Sequence, residues 1–281
     1  MFRIRWGIFA LALCAVVGLA GCGGGSRAKA VTIKGSDTMV ILGQRWAEQY
    51  METNPNAAIQ VTGGGSGTGI AALINGTTEI CQSSRPMKGA ERQQLEAKFG
   101  EAPHEIAVAK DGLAVYVHEQ NAMRELTLAQ IRDMYTGKIT KWSEVGGPDA
   151  PITLYGRENS SGTYEYFKEH VLEKADFAAA VQTLPGTAAV VSAVSKDPNG
   201  IGYGGAAYLK GVEEVAIKTD AASAGVLPTA DNVRSGSYPI SRDLYFYTRK
   251  APEGAVKAFI DYALSDSGQA VVGEVGYYPI R

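Results

Sequence analysis

The chain has 281 residues, 45% of them hydrophobic and 20% charged, more than a single core usually needs; one large or two moderate α/β domains are expected. A formal net charge of −2 supplies no basic footprint and argues against nucleic-acid binding, although a small anion can still be held where the positive field is local. Three cysteines cannot build a disulfide framework.

The first residues read as an address. Arg3 and Arg5 form a basic start, Trp6 to Gly21 is almost wholly apolar, and Leu19-Ala20-Gly21-Cys22 has the form of a bacterial lipobox. A plain transmembrane anchor is the alternative, but the run is short and has no stop-transfer flank. The expectation is a leader over 1–21, lipidation at Cys22, and a flexible tether over 22–28 that includes Gly23-Gly24-Gly25-Ser26. Removing 1–21 takes away two arginines and no acid, so the net charge becomes −4. Cys14 leaves with the leader, and the remaining Cys81, in an apolar run, is expected to be a small buried residue. His104, His118 and His170 show no metal-ligand spacing, and no metal or cofactor is predicted.

From Val31 onward, short β-type runs alternate with helical patterns. Val31-Thr32-Ile33 leads to a helix carrying Met39, Leu42, Trp46 and Tyr50, and Ile59-Gln60-Val61 leads through a glycine loop to Ile70, Leu73 and Ile74. Ile80-Cys81 precedes Ser83-Ser84-Arg85-Pro86 and a charged helix from about Ala90 to Lys98. Ile106–Ala109 and Leu113–Val117 read as consecutive strands broken by a turn at Asp111-Gly112. Leu128–Tyr135 ends at Thr136-Gly137, and Ile152–Tyr155 is a strand before a helix bearing Tyr164, Phe167, Val171 and Leu172. A turn at 197–200 precedes the strand Ile201-Gly202-Tyr203, and residues 219–238 read as mainly loop. A strand over Leu244–Tyr247 and a helix with Val256, Phe259, Ile260, Ala263 and Leu264 complete the chain. This alternation predicts mainly parallel sheets flanked by helices. If the runs near 111–117 and 240–247 are paired crossing strands, 29–112 with 244–281 form one lobe and 113–243 the other.

One motif occurs three times: a strand, then Ser, Thr and Gly, then a helix. Its instances are Gly35-Ser36-Asp37-Thr38, the stretch Gly63 to Gly69 containing Ser66, Gly67 and Thr68, and Arg157 to Thr163 containing Ser160, Ser161 and Gly162. A helix start offers free N–H groups and about half a positive charge, and hydroxyls add donors, so three such ends together would cage a small tetrahedral oxyanion. Taken singly, each is also an ordinary N-cap. The glycine stretch has more backbone freedom than a cap needs, which suggests that something approaches it closely. It lacks the Gly-Lys-Ser/Thr ending of a P-loop, and Ile70 stands where the dinucleotide pattern needs its third glycine. Arg85 and Arg157 offer guanidinium forks suited to oxyanions, with a structural salt bridge, Glu158 for Arg157, as the alternative.

Six pieces in order give the chain a resemblance to the phosphate-binding proteins of Pst-type bacterial ABC importers, running from about Val31 to the C-terminus. They are Gly35–Thr38, Gly64–Gly69, Ser83–Lys88, Gly156–Thr163, Tyr135–Trp142 and Gly200–Tyr203. The resemblance implies an α/β, two-lobed type II periplasmic-binding fold with two hinge-crossing strands, closing on one inorganic phosphate. Carried over by position, the ligand shell comprises Ser36, Asp37, Thr38, Ser66, Gly67, Arg157, Ser161, Gly162 and Thr163, with Ser84 and Arg85 from the segment after the third strand. The implied partners are an ABC permease and ATPase, and the protein is expected to be a monomer, held to the membrane by its lipid, in the periplasm or at the outer cell surface. One departure stands out: well-known members carry an aspartate where Ser84 aligns, which accepts a hydrogen bond from the phosphate proton, and here Arg85 follows instead. A subset of the family looks similar. Asp37 is the candidate replacement acceptor, or a simple N-cap. Other oxyanions (sulfate, molybdate, arsenate) or a phosphate-sensing surface role are the alternatives. A secreted phosphatase with Ser161 as nucleophile lacks an evident base and a metal cluster.

Overall fold

Short β-prone runs form most of the strands, and at Gly35-Ser36, Gly65-Ser66 and Ser161-Gly162 glycine and a hydroxyl residue turn the chain toward the next helix. The computed structural model describes residues 30–280; the expected leader, Cys22 and the whole of the expected tether fall outside them. β1 (Val31–Gly35) passes through a 3-10 turn, Asp37–Met39, into α1 (Val40–Thr53), and β2 (Ile59–Thr62) is followed by α2 (Ser66–Asn75). β3 (Ile80–Ser83) leads to α3 (Gly89–Phe99) and then to β4 (His104–Val117). The middle of the chain holds β5 (Glu125–Thr127), α4 (Leu128–Tyr135), β6 (Thr153–Arg157), α5 (Gly162–His170), β7 (Gln182–Leu184), α6 (Thr187–Val194), β8 (Gly200–Gly205) and β9 (Glu213–Lys218). The chain ends with α7 (Ala230–Ser235), β10 (Ser241–Thr248), α8 (Gly254–Leu264) and α9 (Asp266–Val275).

The strand order is β2-β1-β3-β10-β4-β8-β6-β7, with β9 pairing both β4 and β5. β1 runs parallel to β2 and β3, and β6 runs parallel to β7 and β8. β10 is antiparallel to both β3 and β4. The expected turn at Asp111-Gly112 is not there. β4 runs straight through it, pairing with β10 over His104–Gly112 and with β8 over Leu113–Val117. The physical reason is long-range: Asp111 is fully buried against Arg242, and a Cβ on Gly112 would lie 2.5 Å from Pro228, so this Asp-Gly pair is packed as strand.

β4 also threads two hydrophobic cores. Val108 and Ala109 pack with Ile33, Trp46, Phe246 and Phe259, while Leu113, Val115 and Val117 pack with Tyr135, Trp142, Phe167 and Tyr203. Each fully buried large side chain contributes about 1.5–3 kcal/mol, so both ends of β4 are anchored. Cys81 is buried, and its thiol is pushed far up by desolvation. Within the stretch read as loop, α7 is a short helix capped by Thr229, which accepts from the Asn232 N–H. Beyond the expected final helix, Ser265 ends α8 and caps α9. No helix among the described residues is long and apolar enough to cross a membrane.

Candidate functional site

All three repeated motifs stand at the C-terminal end of a strand, as does Ser84 after β3. In open α/β sheets this is where ligands bind. The structure joins their hydroxyls. Ser36 Oγ donates to Ser84 Oγ at 2.9 Å, Ser66 Oγ lies 3.4 Å from Ser84 Oγ and accepts the Ser84 N–H, and Thr38 Oγ1 pairs with Thr163 Oγ1 at 2.9 Å. Ser36, Thr38, Ser66, Ser84, Ser161 and Thr163 are all at most 2% exposed. Ser161 caps α5, its Oγ accepting from the Thr163 and Tyr164 N–H groups, while the Ser36 hydroxyl, at the N-cap position of the 3-10 turn, is turned to Ser84.

The glycines are explained by close approach. Gly65 has φ +91°, and a Cβ there would sit 2.4 Å from the Ser160 carbonyl oxygen, to which Gly67 N–H donates at 2.9 Å. A Cβ on Gly162 would lie 2.3 Å from Ser66 Oγ and 2.7 Å from Ser84 Oγ. The group that approaches the glycine loop in this structure is therefore the loop before α5.

Asp37 is the first residue of its 3-10 turn rather than the cap. Its Oδ1 accepts the Gly64 N–H and its Oδ2 accepts from Arg157 Nη2, each at 2.9 Å. Arg157 also donates Nε and Nη2 to Glu158 and Nη1 to Thr187 Oγ1. Burial alone would lower its pKa, but hydrogen bonding and charge from Glu158, then Asp37, outweigh this and hold it above the ordinary arginine value. Burial likewise raises the Glu158 carboxyl, and Arg157 pulls it below the usual range.

Arg85 is buried, and its terminal nitrogens grip Glu91 at 2.7 and 2.9 Å, with a further bond to the Pro86 carbonyl. None of its hydrogen bonds goes to the hydroxyl cluster. A third guanidinium does reach it, one without a motif in the sequence. Arg242 on β10 donates Nε and Nη2 to Asp111 Oδ2 at 3.0 and 2.8 Å, and Nη2 to Thr163 Oγ1 at 2.9 Å. The one available signal was a charged pair, Arg242-Asp243, opening an otherwise apolar strand.

The arrangement can do one kind of chemistry well. Hydroxyls, helix starts and guanidinium groups converge from segments far apart in sequence, while among the described residues no group of three or more His, Cys, Asp or Glu could hold a metal ion. Fold and site together define a solute-binding protein of the type II periplasmic-binding class, and residues 22–267 match the model of the PBP superfamily domain. The chain is 38% identical to the phosphate-binding protein PstS of Pseudomonas aeruginosa, covering 88% of this chain and 81% of that one. It is 35% identical to the PstS protein of Bacillus subtilis, covering 89% and 80%. Among solved structures, a putative phosphate ABC transporter substrate-binding protein with bound phosphate from Clostridium perfringens superposes with TM-score 0.81 at 34% identity, over 90% of this chain and 100% of that one. The chain belongs to the Pst-type phosphate-binding protein family.

Proposed function

We propose that this chain is an extracytoplasmic lipoprotein that binds inorganic phosphate between two lobes, 29–112 with 244–281 and 113–243, and delivers it to an ABC permease and its ATPase. Cys22 carries the lipid and 22–28 form the tether. The observation that carries the reading is the buried hydroxyl cluster, Ser36, Thr38, Ser66, Ser84, Ser161 and Thr163, assembled at four strand ends. A phosphate dianion taken out of water costs several kcal/mol or more unless each oxygen finds donors. Hydroxyls, the Gly162 N–H and the starts of α2 and α5 supply them, the Gly67 N–H being held by the Ser160 carbonyl, and a hydroxyl can also accept a hydrogen bond from the phosphate proton. Lobe closure brings Thr163 to Thr38 and Arg157 to Asp37, so capture and closure form the same contacts. The names of the relatives and the phosphate in the Clostridium structure support the same ligand.

Asp37 is the proposed acceptor for the phosphate proton. Each of its carboxylate oxygens accepts one bond here and has capacity for another. Ser84 is proposed as a hydroxyl ligand. Arg85 is proposed as a source of field rather than a direct donor, since Glu91 holds it. Binding without turnover is proposed, because the Ser161 oxygen is engaged as a helix cap.

Calorimetry on protein freed of bound phosphate tests the reading. One-to-one phosphate binding with sulfate silent is expected. Equal binding of both anions, or of sulfate alone, overturns the specificity. Silence for both moves the assignment to another oxyanion or to a non-transport role.

A further inference from the structure

We infer that Arg242 is a direct anion-binding residue, its Nη1 donating to an oxygen of the bound tetrahedral oxyanion; the inference rests on the phosphate reading above and names a ligand that the family motifs do not contain. Free donors distinguish the three arginines. Arg157 has four of its five N–H donors engaged by Glu158, Asp37 and Thr187. Arg85 leaves only Nε unpartnered among its nitrogens, and its other bonds go to Glu91 and Pro86. Arg242 differs from both. Its side chain is 3% exposed, its Nη2 already holds Thr163 in the hydroxyl cluster, and its Nη1 is buried with no hydrogen-bond partner among the described residues. A buried guanidinium nitrogen without an acceptor is costly, and an anion seated beside Thr163 would remove that cost.

The guanidinium is also held from two sides. Arg242 and Asp111 are register partners on β10 and β4, so the guanidinium is gripped from the neighbouring strand through Nε and Nη2. The Tyr166 ring lies 5.2 Å from its central carbon, and the Tyr166 hydroxyl is itself tied to the Ser241 carbonyl at 2.7 Å. Held by Asp111 and packed against Tyr166, the group is preorganised, and a planar guanidinium held so keeps its remaining donors aimed. Thr163 in turn contacts Thr38, which places Arg242 one hydroxyl away from both sides of the cluster. Because Asp111 neutralises the guanidinium, Arg242 contributes direction and donors more than net charge.

Calorimetry on the whole protein and two variants decides it. Arg242→Gln combined with Asp111→Asn removes both charges, so no buried ion is stranded, and unfolding is monitored in parallel. Arg242→Lys keeps a charge beside Asp111 but deletes Nη1, and it decides the matter if the double variant does not fold. Wild type is expected to bind phosphate, the double variant at least ~100-fold more weakly and the lysine variant at least ~10-fold more weakly, as charge-assisted bonds imply. A crystal structure of the phosphate complex is expected to show Nη1 within about 3.2 Å of a phosphate oxygen. Binding by the folded double variant or the lysine variant within threefold of wild type, or Nη1 turned away from phosphate in the complex, overturns the role of Arg242 and leaves the phosphate reading standing. Wild-type protein that binds no phosphate overturns that reading first, and this one with it.

Discussion

Asp37 and Arg157, 120 positions apart, form an ion pair of 2.9 Å in which the guanidinium is 1% exposed and the carboxylate 19%. The pair ties the turn after β1 to the end of β6, and the same carboxylate holds the glycine loop through Gly64. One side chain thus joins three of the segments that line the site.

Asp37→Asn separates an acceptor from a latch. If the carboxylate accepts the phosphate proton, phosphate affinity falls by about 1.5–3 kcal/mol, roughly tenfold to a hundredfold, while sulfate affinity holds or rises. Competition calorimetry with the two anions reads the ratio. Equal losses for both would assign Asp37 to closure alone.

Arg157→Ala strands Glu158 and leaves Asp37 with the Gly64 N–H alone. Breaking a buried pair from one side costs about 3–5 kcal/mol, and both acids keep some solvent, so the lower end is expected. Chemical denaturation should register that loss, and phosphate binding should fall at least ~100-fold, since Arg157 links both sides of the site. Unchanged stability together with unchanged affinity would remove Arg157 from the site.

Gly162→Ala should cost binding, because its Cβ would stand 2.3 Å from Ser66 Oγ and 2.7 Å from Ser84 Oγ, both fully buried, in the arrangement seen here. Gly162 is the first residue of α5, so alanine's preference for helix interiors offsets little of that clash. The expected result is an unfolding midpoint at or below wild type with phosphate affinity reduced by about 100-fold or more. A variant that binds normally would show that Ser66 and α5 need not approach this closely.

The parts of the site that local chemistry specifies were legible in the sequence. Ser36, Ser66 and Ser161 each stand where a strand yields to a helix, and glycine flanks all three. Local signals failed where burial depends on distant partners. Asp111-Gly112 has the composition of a turn, and partners far along the chain, Arg242 on Asp111 and Pro228 against Gly112, make it strand. Arg85 and Arg157 were readable as anion donors, and Glu158 was readable as the alternative partner that Arg157 does hold; Glu91, six residues from Arg85, carries no pattern that says the guanidinium turns to it. The Thr38–Thr163 contact, 125 residues apart, needs the fold itself.

Glu214 on β9 carries a pH dependence unconnected with the anion. Desolvation, with a smaller push from Glu213, raises its pKa from 4.5 to about 7, and its Oε1 is buried without a hydrogen-bond partner. The folded state therefore binds a proton that the unfolded chain has already released between about pH 4.5 and 7. With more protons bound when folded, stability falls as pH rises through that window, and the penalty is complete above it. The shift corresponds to roughly 3 kcal/mol or slightly more at pH 8. Glu214→Gln, neutral at every pH, should stabilise the protein by that amount at pH 8, change little at pH 4.5, and flatten the slope between. Denaturant unfolding at several pH values measures this, and a glutamine variant whose advantage did not grow with pH would mean that Glu214 is charged and solvated in the folded protein.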